Sequence, residues 1–182
     1  MKKGKFEGKI VWITGASSGI GEATAYRMAR ENATLILTAL ERDLLEKVAE
    51  KCKSLGAPDA RPLPFDLSRT EQLPQLAEEA MSLFGRVDVL YNNAGISQRA
   101  TVLDTEMPVI RKVMEIDYFA PVILTKAVLP KMVENGGGQL VVTTSIAGRF
   151  GFRCAAPIPP QSMRCTVFSR LYRRKTMTKT SA

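Results

Sequence analysis

Three glycines, Gly15, Gly19 and Gly21, fall within T-G-A-S-S-G-I-G at residues 14–21, directly after the apolar run I-V-W-I-T. Between a strand and a helix, glycines at this spacing can hold a pyrophosphate. One permits a tight turn, one lets backbone approach the phosphates, and one lets the helix pack closely on the strand. The helix start then offers unpaired N–H groups and a favourable dipole to the anion. A glycine trio also occurs in ordinary turns, so its weight rests on the elements around it. The chain contains no histidine, which excludes a histidine-assisted nucleophile and a histidine-ligated zinc. Cys52, Cys154 and Cys165 have neither disulfide-framework nor metal-ligand spacing, so no metal is expected.

The elements that must position this loop alternate. Residues 10–14 read as a strand, and a helix follows over about 19–31, stopped by Asn32 in the left-handed conformation usually given to glycine. A second strand is expected over 34–39. The next helix, over 42–55, clusters Leu44, Leu45 and Val48 for burial. Residues 63–65 end a third strand before Asp66, and 73–84 form an amphipathic helix. A fourth strand is expected over 87–91, a long helix over roughly 108–134 and a fifth strand over 140–144. Strands alternating with helices at this spacing imply an α/β fold with a doubly wound parallel sheet of Rossmann type. The nearly continuous apolar strands fit burial on both faces.

At 182 residues the chain has room for one domain with a sizeable core. No apolar run is long enough to span a bilayer, and the basic start lacks a secretory apolar stretch, so the cytoplasm is the default location. The net charge of +8 raises nucleic acid as a partner. Its distribution argues against that: residues 149–182 hold eight of the 26 basic side chains and none of the 18 acidic ones, leaving residues 1–148 neutral. The chain therefore divides into a nucleotide-binding unit, 1–152, and a basic, proline-interrupted tail, 153–182, that reads as either a short frayed helix or a disordered end.

T-G-A-S-S-G-I-G at 14–21, N-N-A-G at 92–95, V-M-E-I-D at 113–117 and S-I-A-G at 145–148 together resemble the classical short-chain dehydrogenase/reductases, over about residues 8–152. The resemblance implies a seven-stranded Rossmann-type sheet, use of NAD(H) or NADP(H) on small alcohols and carbonyls, and an oligomer. It sets Gly15, Ser17, Ser18, Gly19, Ile20 and Gly21 against the cofactor's phosphates and sugar. It also gives Asp66 the adenine amine, with Leu67 beside it, and makes Asn92, Ala94 and Gly95 the floor under the cofactor; a turn or cap role for Asp66 stays open. Ala39 stands where NAD enzymes often carry an acid, which tilts the choice to NADP with Arg42 as a phosphate partner, while Glu41 argues for NAD.

Family chemistry uses Ser, Tyr and Lys, usually supported by Asn. Tyr moves the proton, Lys lowers its pKa and holds the nicotinamide ribose, and Ser positions the substrate oxygen. Ser145 matches the serine. The tyrosine position holds Ile158, the lysine position holds Ser162, and Asp117 replaces the asparagine. Isoleucine cannot exchange a proton.

The tail has a specific explanation. When compatible codons for residues 152–172 are read one frame over, the genetic code permits P-L-R-S-A-Y-S-A-S-K-H-A-L-H-G-F-F-E-T-L, whose Tyr falls in register with Ile158. A frame change near codons 149–152 is therefore expected, with C-terminal truncation. The sheet would then be incomplete on its C-terminal side and lack the usual dimer-forming helix. Three functions follow: an oxidoreductase by ancestry, an inactive dinucleotide-binding fragment, and an interaction module built on the basic tail.

Overall fold

The computed structural model describes residues 4–98, 100, 101 and 103–145. Its five strands are all parallel, in the order β3-β2-β1-β4-β5: β1 Ile10–Thr14, β2 Thr34–Thr38, β3 Ala60–Pro62, β4 Val89–Asn92 and β5 Gln139–Val142. The expected Rossmann-type sheet is present. The chain runs outward from β1 to β3, then crosses back to β4, which opens a crevice beyond the carboxyl ends of β1 and β4.

Alternation along β1 explains the layers. Val11 and Ile13 face one side, where they pack with α1 (Gly19–Arg30) and α2 (Arg42–Ser54); Trp12 faces the other, with α3 (Leu73–Phe84) and α5 (Ala120–Glu134). Trp12 is fully buried, and its indole N–H donates to Thr38 Oγ1 at 2.9 Å, so the polar end is satisfied inside the core. Asn32 adopts the expected left-handed conformation, φ 61°, where α1 turns into β2.

Four expectations shift. In α2 the buried stripe is Leu45, Val48, Ala49 and Cys52, at spacings of three and four, and Leu44 lies one step off it, 43% exposed. The third strand ends at Pro62 rather than at 65. Leu63 and Phe65 still donate to Leu37 O and Ala39 O at 2.7 and 2.8 Å, while Pro62 and Pro64 break the regular ladder. The fourth and fifth strands begin and end within two residues of expectation.

The long helix over 108–134 is the fourth departure: α4 (Met107–Met114) passes into a π turn at Glu115–Phe119 before α5. Pro121 has no N–H to give to the carbonyl four residues back, so the ladder there cannot stay regular. Among the described residues, no helix is long and apolar enough to cross a membrane.

Candidate functional site

The crevice is built by stitching two loops that are far apart in sequence. Thr14, at the end of β1, is buried, and its hydroxyl accepts the backbone N–H groups of Asn93 and Ala94, each at 3.1 Å. Asn93 returns the contact, its amide donating to Thr14 O and Gly15 O at 3.2 Å. Thr143, just after β5, joins the same network through Asn93 Oδ1 at 2.9 Å and the Tyr91 hydroxyl at 2.8 Å. Three strand ends are thereby held in one geometry.

The glycines divide by what they permit. A Cβ on Gly15, at φ 65°, would lie 2.7 Å from Ala94 Cα, and one on Gly21 would lie 2.1 Å from Gly15 O. Those two allow backbone to touch backbone. Gly19, at φ 58°, has nothing within 4 Å of where its Cβ would be, but it lines neither of the hollows described below; its neighbours Ser18 and Ile20 do. Ser18 caps α1 by position but makes no side-chain cap bond. The helix start therefore keeps N–H groups that an anion can satisfy. The uncapped α1 start, beside Ser17, Ser18 and Ile20 of the hollow described next, fits a dinucleotide phosphate.

One hollow of about 460 Å3 runs from Gly15, Ser17, Ser18 and Ile20 past Ala39–Glu41 to Asp66 and Leu67, a size ordinary for a small-molecule site. Ser17 Oγ donates to Glu41 Oε2 at 3.3 Å. Asp66 Oδ1 accepts from the Ser68 hydroxyl at 2.7 Å and the Ser68 N–H at 3.0 Å, and these bonds lower its pKa. Asp66 is thus a turn residue that also lines the hollow. Arg42 is not among the lining residues; its guanidinium pairs with Glu46 at 3.7 Å along α2. Lys112, from α4, lines this hollow and had no motif to announce it.

A second hollow, about 450 Å3, shares Ile20, Ala94 and Gly95 with the first and continues over β4 and β5 to Asn92, Asp117 and Ser145. Asn92 is buried. Its amide donates to Thr125 Oγ1 at 3.4 Å, and its Oδ1 has no hydrogen-bond partner among the described residues. Asp117 Oδ1 accepts the Ile96 N–H at 2.9 Å and lies against Gly95, whose missing Cβ would stand 3.4 Å away. Burial pushes the Asp117 carboxyl up to about 6, against the lowering effect of the Ile96 N–H. Ser145 is exposed at the mouth of this hollow. Ile158 and Ser162 lie outside the described residues.

Of the expected binding residues, Gly15, Ser17, Ser18, Ile20, Asp66, Leu67, Ala94 and Gly95 line the first hollow, while Asn92 lines the second. Gly21 is buried beneath the loop. Asn93, Thr14 and Thr143 were missed as parts of the site. Asn93 stands inside N-N-A-G and Thr14 opens T-G-A-S-S-G-I-G, so those motifs held a signal; for Thr143 the signal exists only once β4 and β5 are neighbours.

Comparison with known proteins agrees. A model of the short chain dehydrogenase family matches residues 9–157. The chain is 42% identical over 142 residues to human dehydrogenase/reductase SDR family member 7, covering 76% of this chain and 42% of that protein. It is 40% identical over 151 residues to the Drosophila melanogaster family protein 7-like, covering 81% and 46%. The chain thus spans less than half the length of these relatives. Among solved structures, a metagenomic short-chain oxidoreductase in complex with NADP superposes with a TM-score of 0.86 at 25% identity, covering 94% of this chain and 79% of that one.

Proposed function

The chain belongs to the short-chain dehydrogenase family, and on that premise we propose that it binds an NAD(P) dinucleotide along the two joined hollows. The adenosine half lies toward β2 and β3, the phosphates at the α1 start, and the nicotinamide half over β4 and β5. The observation that carries this reading is the uncapped α1 start, with Ser18 lining the first hollow and Ile20 lining both. The NADP held by the metagenomic relative supports it. NADP is favoured over NAD because Ala39 closes β2 without an acid. Glu41 works in the other direction, and its carboxylate is engaged by Ser17.

A bound dinucleotide supplies a hydride acceptor or donor for an alcohol or carbonyl. What this chain adds is Ser145, whose hydroxyl positions a substrate oxygen. In the family's chemistry the proton at that oxygen is moved by a Tyr whose pKa a Lys lowers. Ile158 and Ser162 supply neither. As written, the chain is therefore a dinucleotide binder without hydride-transfer activity, and its residues beyond about 152 are the product of a frame change. The restored chain is the carbonyl or alcohol oxidoreductase.

The test has three parts. Titration with NADPH and NADH, followed by the fluorescence of the reduced ring, is expected to saturate. A panel of small ketones, aldehydes and alcohols is expected to give no turnover. The coding DNA over residues 140–182 is expected to read Y-S-A-S-K in the neighbouring frame. Absence of binding overturns the dinucleotide reading, turnover overturns inactivity, and codons that cannot yield the phrase overturn the frame change.

A further inference from the structure

The second hollow holds a charge that its chemistry does not need for binding phosphates. Asp117 sits on the π turn between α4 and α5, half-buried, with Oδ1 anchored by the Ile96 N–H and the carboxyl packed against the bare backbone of Gly95. Among the described residues lining this hollow, from the β4 loop, α5 and the end of β5, Asp117 alone is titratable. On its own turn, Glu115 and Tyr118 do not line it. The charged side chains Glu41, Asp66 and Lys112 line the first hollow, at the adenosine end.

We propose that Asp117 makes the cleft selective for the redox state of its dinucleotide, holding the oxidised form more tightly than the reduced one. This rests on the dinucleotide reading above. The two forms share their phosphates, riboses and adenine and differ at the nicotinamide, which is a cation when oxidised and neutral when reduced. A carboxylate in the nicotinamide half therefore attracts one form and is indifferent to the other. A partly buried site strengthens that attraction over its value in water. Only a contact that differs between two forms can discriminate between them, and Asp117 supplies one. An asparagine at this position would keep the Ile96 contact through its amide oxygen and lose the charge.

Linkage sets a second expectation. If the pyridinium favours the ionised carboxyl, the oxidised form must lower the Asp117 pKa from its value of about 6. Selectivity is then present where Asp117 is ionised and lost as pH falls through that value. Binding of the oxidised form near pH 6 also releases more protons than binding of the reduced form.

The experiment measures dissociation constants for NADPH by direct fluorescence and for NADP+ by displacement of NADPH. It uses the whole chain and Asp117→Asn at about pH 5 and about pH 8, on either side of the carboxyl's raised value. The reduced-to-oxidised ratio is expected to rise roughly three- to tenfold between the lower and the higher pH. In Asp117→Asn it is expected to stay at the low-pH value throughout. The 2′-phosphate of NADP titrates in this range too, but equally in both forms, so it cancels in the ratio. A ratio unchanged by pH in the unaltered chain overturns the proposal even where the variant does not fold. So does a variant that keeps the pH dependence. If neither form binds, the proposal falls together with the dinucleotide reading; if both bind with a constant ratio, it falls alone.

Discussion

The two halves of the cleft are closed by different means. Toward β2 and β3, backbone does the work: Gly15 touches Ala94, Gly21 touches Gly15, and the floor residues Ala39 and Leu67 are 7% exposed. Toward β5, side chains and exposure dominate. Val141 is 41% exposed, and Thr143, Thr144 and Ser145 all stand open to solvent. The sheet edges show the same contrast. Leu63 and Phe65 turn their N–H groups to β2, which sends the ring nitrogens of Pro62 and Pro64 to the outer side, where no partner strand can pair with them. Strand β5 contains no proline. On the proposed reading, the half that binds is encoded locally, within 14–21 and 92–95, and the half that would react depends on residues that the proposed frame change replaces together.

The largest effect expected across this contrast is on turnover. If the proposed frame change is right, expressing the neighbouring frame from about residue 152 onward brings in Ile158→Tyr and Ser162→Lys together. Acid–base groups of this kind contribute roughly 100- to 10,000-fold. Activity on a carbonyl panel should therefore rise by at least that factor over the chain as written, while affinity for the adenosine half changes little. Equal rates from the two chains would break the division between a binding half and a reacting half.

The glycines sharpen it next. Gly21→Ala places a Cβ 2.1 Å from Gly15 O and 2.7 Å from Asn93 Nδ2, so the β1 loop must move. A loss of about 2–4 kcal/mol is expected, read as a fall in the urea midpoint. Gly19→Ala meets nothing and costs only its left-handed conformation, about 1–2 kcal/mol. On the proposed reading the methyl stands at the α1 start that receives the phosphates, so dinucleotide affinity should fall more than stability does. Equal losses of stability from the two variants would mean that the loop is softer than its contacts imply.

How legible this was follows from range. Strands β1 and β2 and helix α3 are set by apolar patterns of a few residues and agree with the sequence to within a residue. The left-handed Asn32 and the glycine loop are equally local. Leu44 misleads because an apolar residue one step off a stripe has the same letter as one on it. The π turn was hidden because the sequence does not show which proline breaks the helix: Pro130 sits inside α5 without ending it, while the π turn lies just before Pro121. At the site, the motif residues could be named, but the Thr14–Asn93 bonds join residues 79 apart, and Lys112 enters the hollow only because α4 passes it.

Thr14→Val tests one such long-range link without changing shape. It strands the N–H groups of Asn93 and Ala94, both held at 3.1 Å by the hydroxyl. Leaving these part-buried donors unpaired is expected to cost about 1 kcal/mol, the lower end of the range for buried groups. Thermal unfolding should fall accordingly, with the β4 loop gaining hydrogen exchange ahead of the β2–β3 side. Uniform loosening of both sides would show that the loops are not separately held.

The smallest effect is the most diagnostic, because its sign reverses the usual acid behaviour. Most carboxylates that shift on folding in this chain, Asp59, Asp66 and Glu31, shift downward and stabilise the fold more as pH rises through the acid range. Asp117 shifts upward, from 3.8 to about 6. Its folded form binds the proton more tightly than the unfolded chain does, so its contribution is fully present below about pH 4 and is lost as pH rises through about 6. Above that, the ionised carboxyl is a cost to the fold. Asp117→Asn removes the cost while an amide oxygen can still accept from Ile96. Discounted for the partial exposure of the group, the gain is about 1 kcal/mol at pH 8 and near zero below about pH 4. The difference between the two unfolding free energies, plotted against pH, should therefore climb through the region of pH 6. A flat difference would mean that the carboxyl is well solvated, and the reacting half of the cleft would then be as wet in the folded chain as the exposure of Ser145 implies.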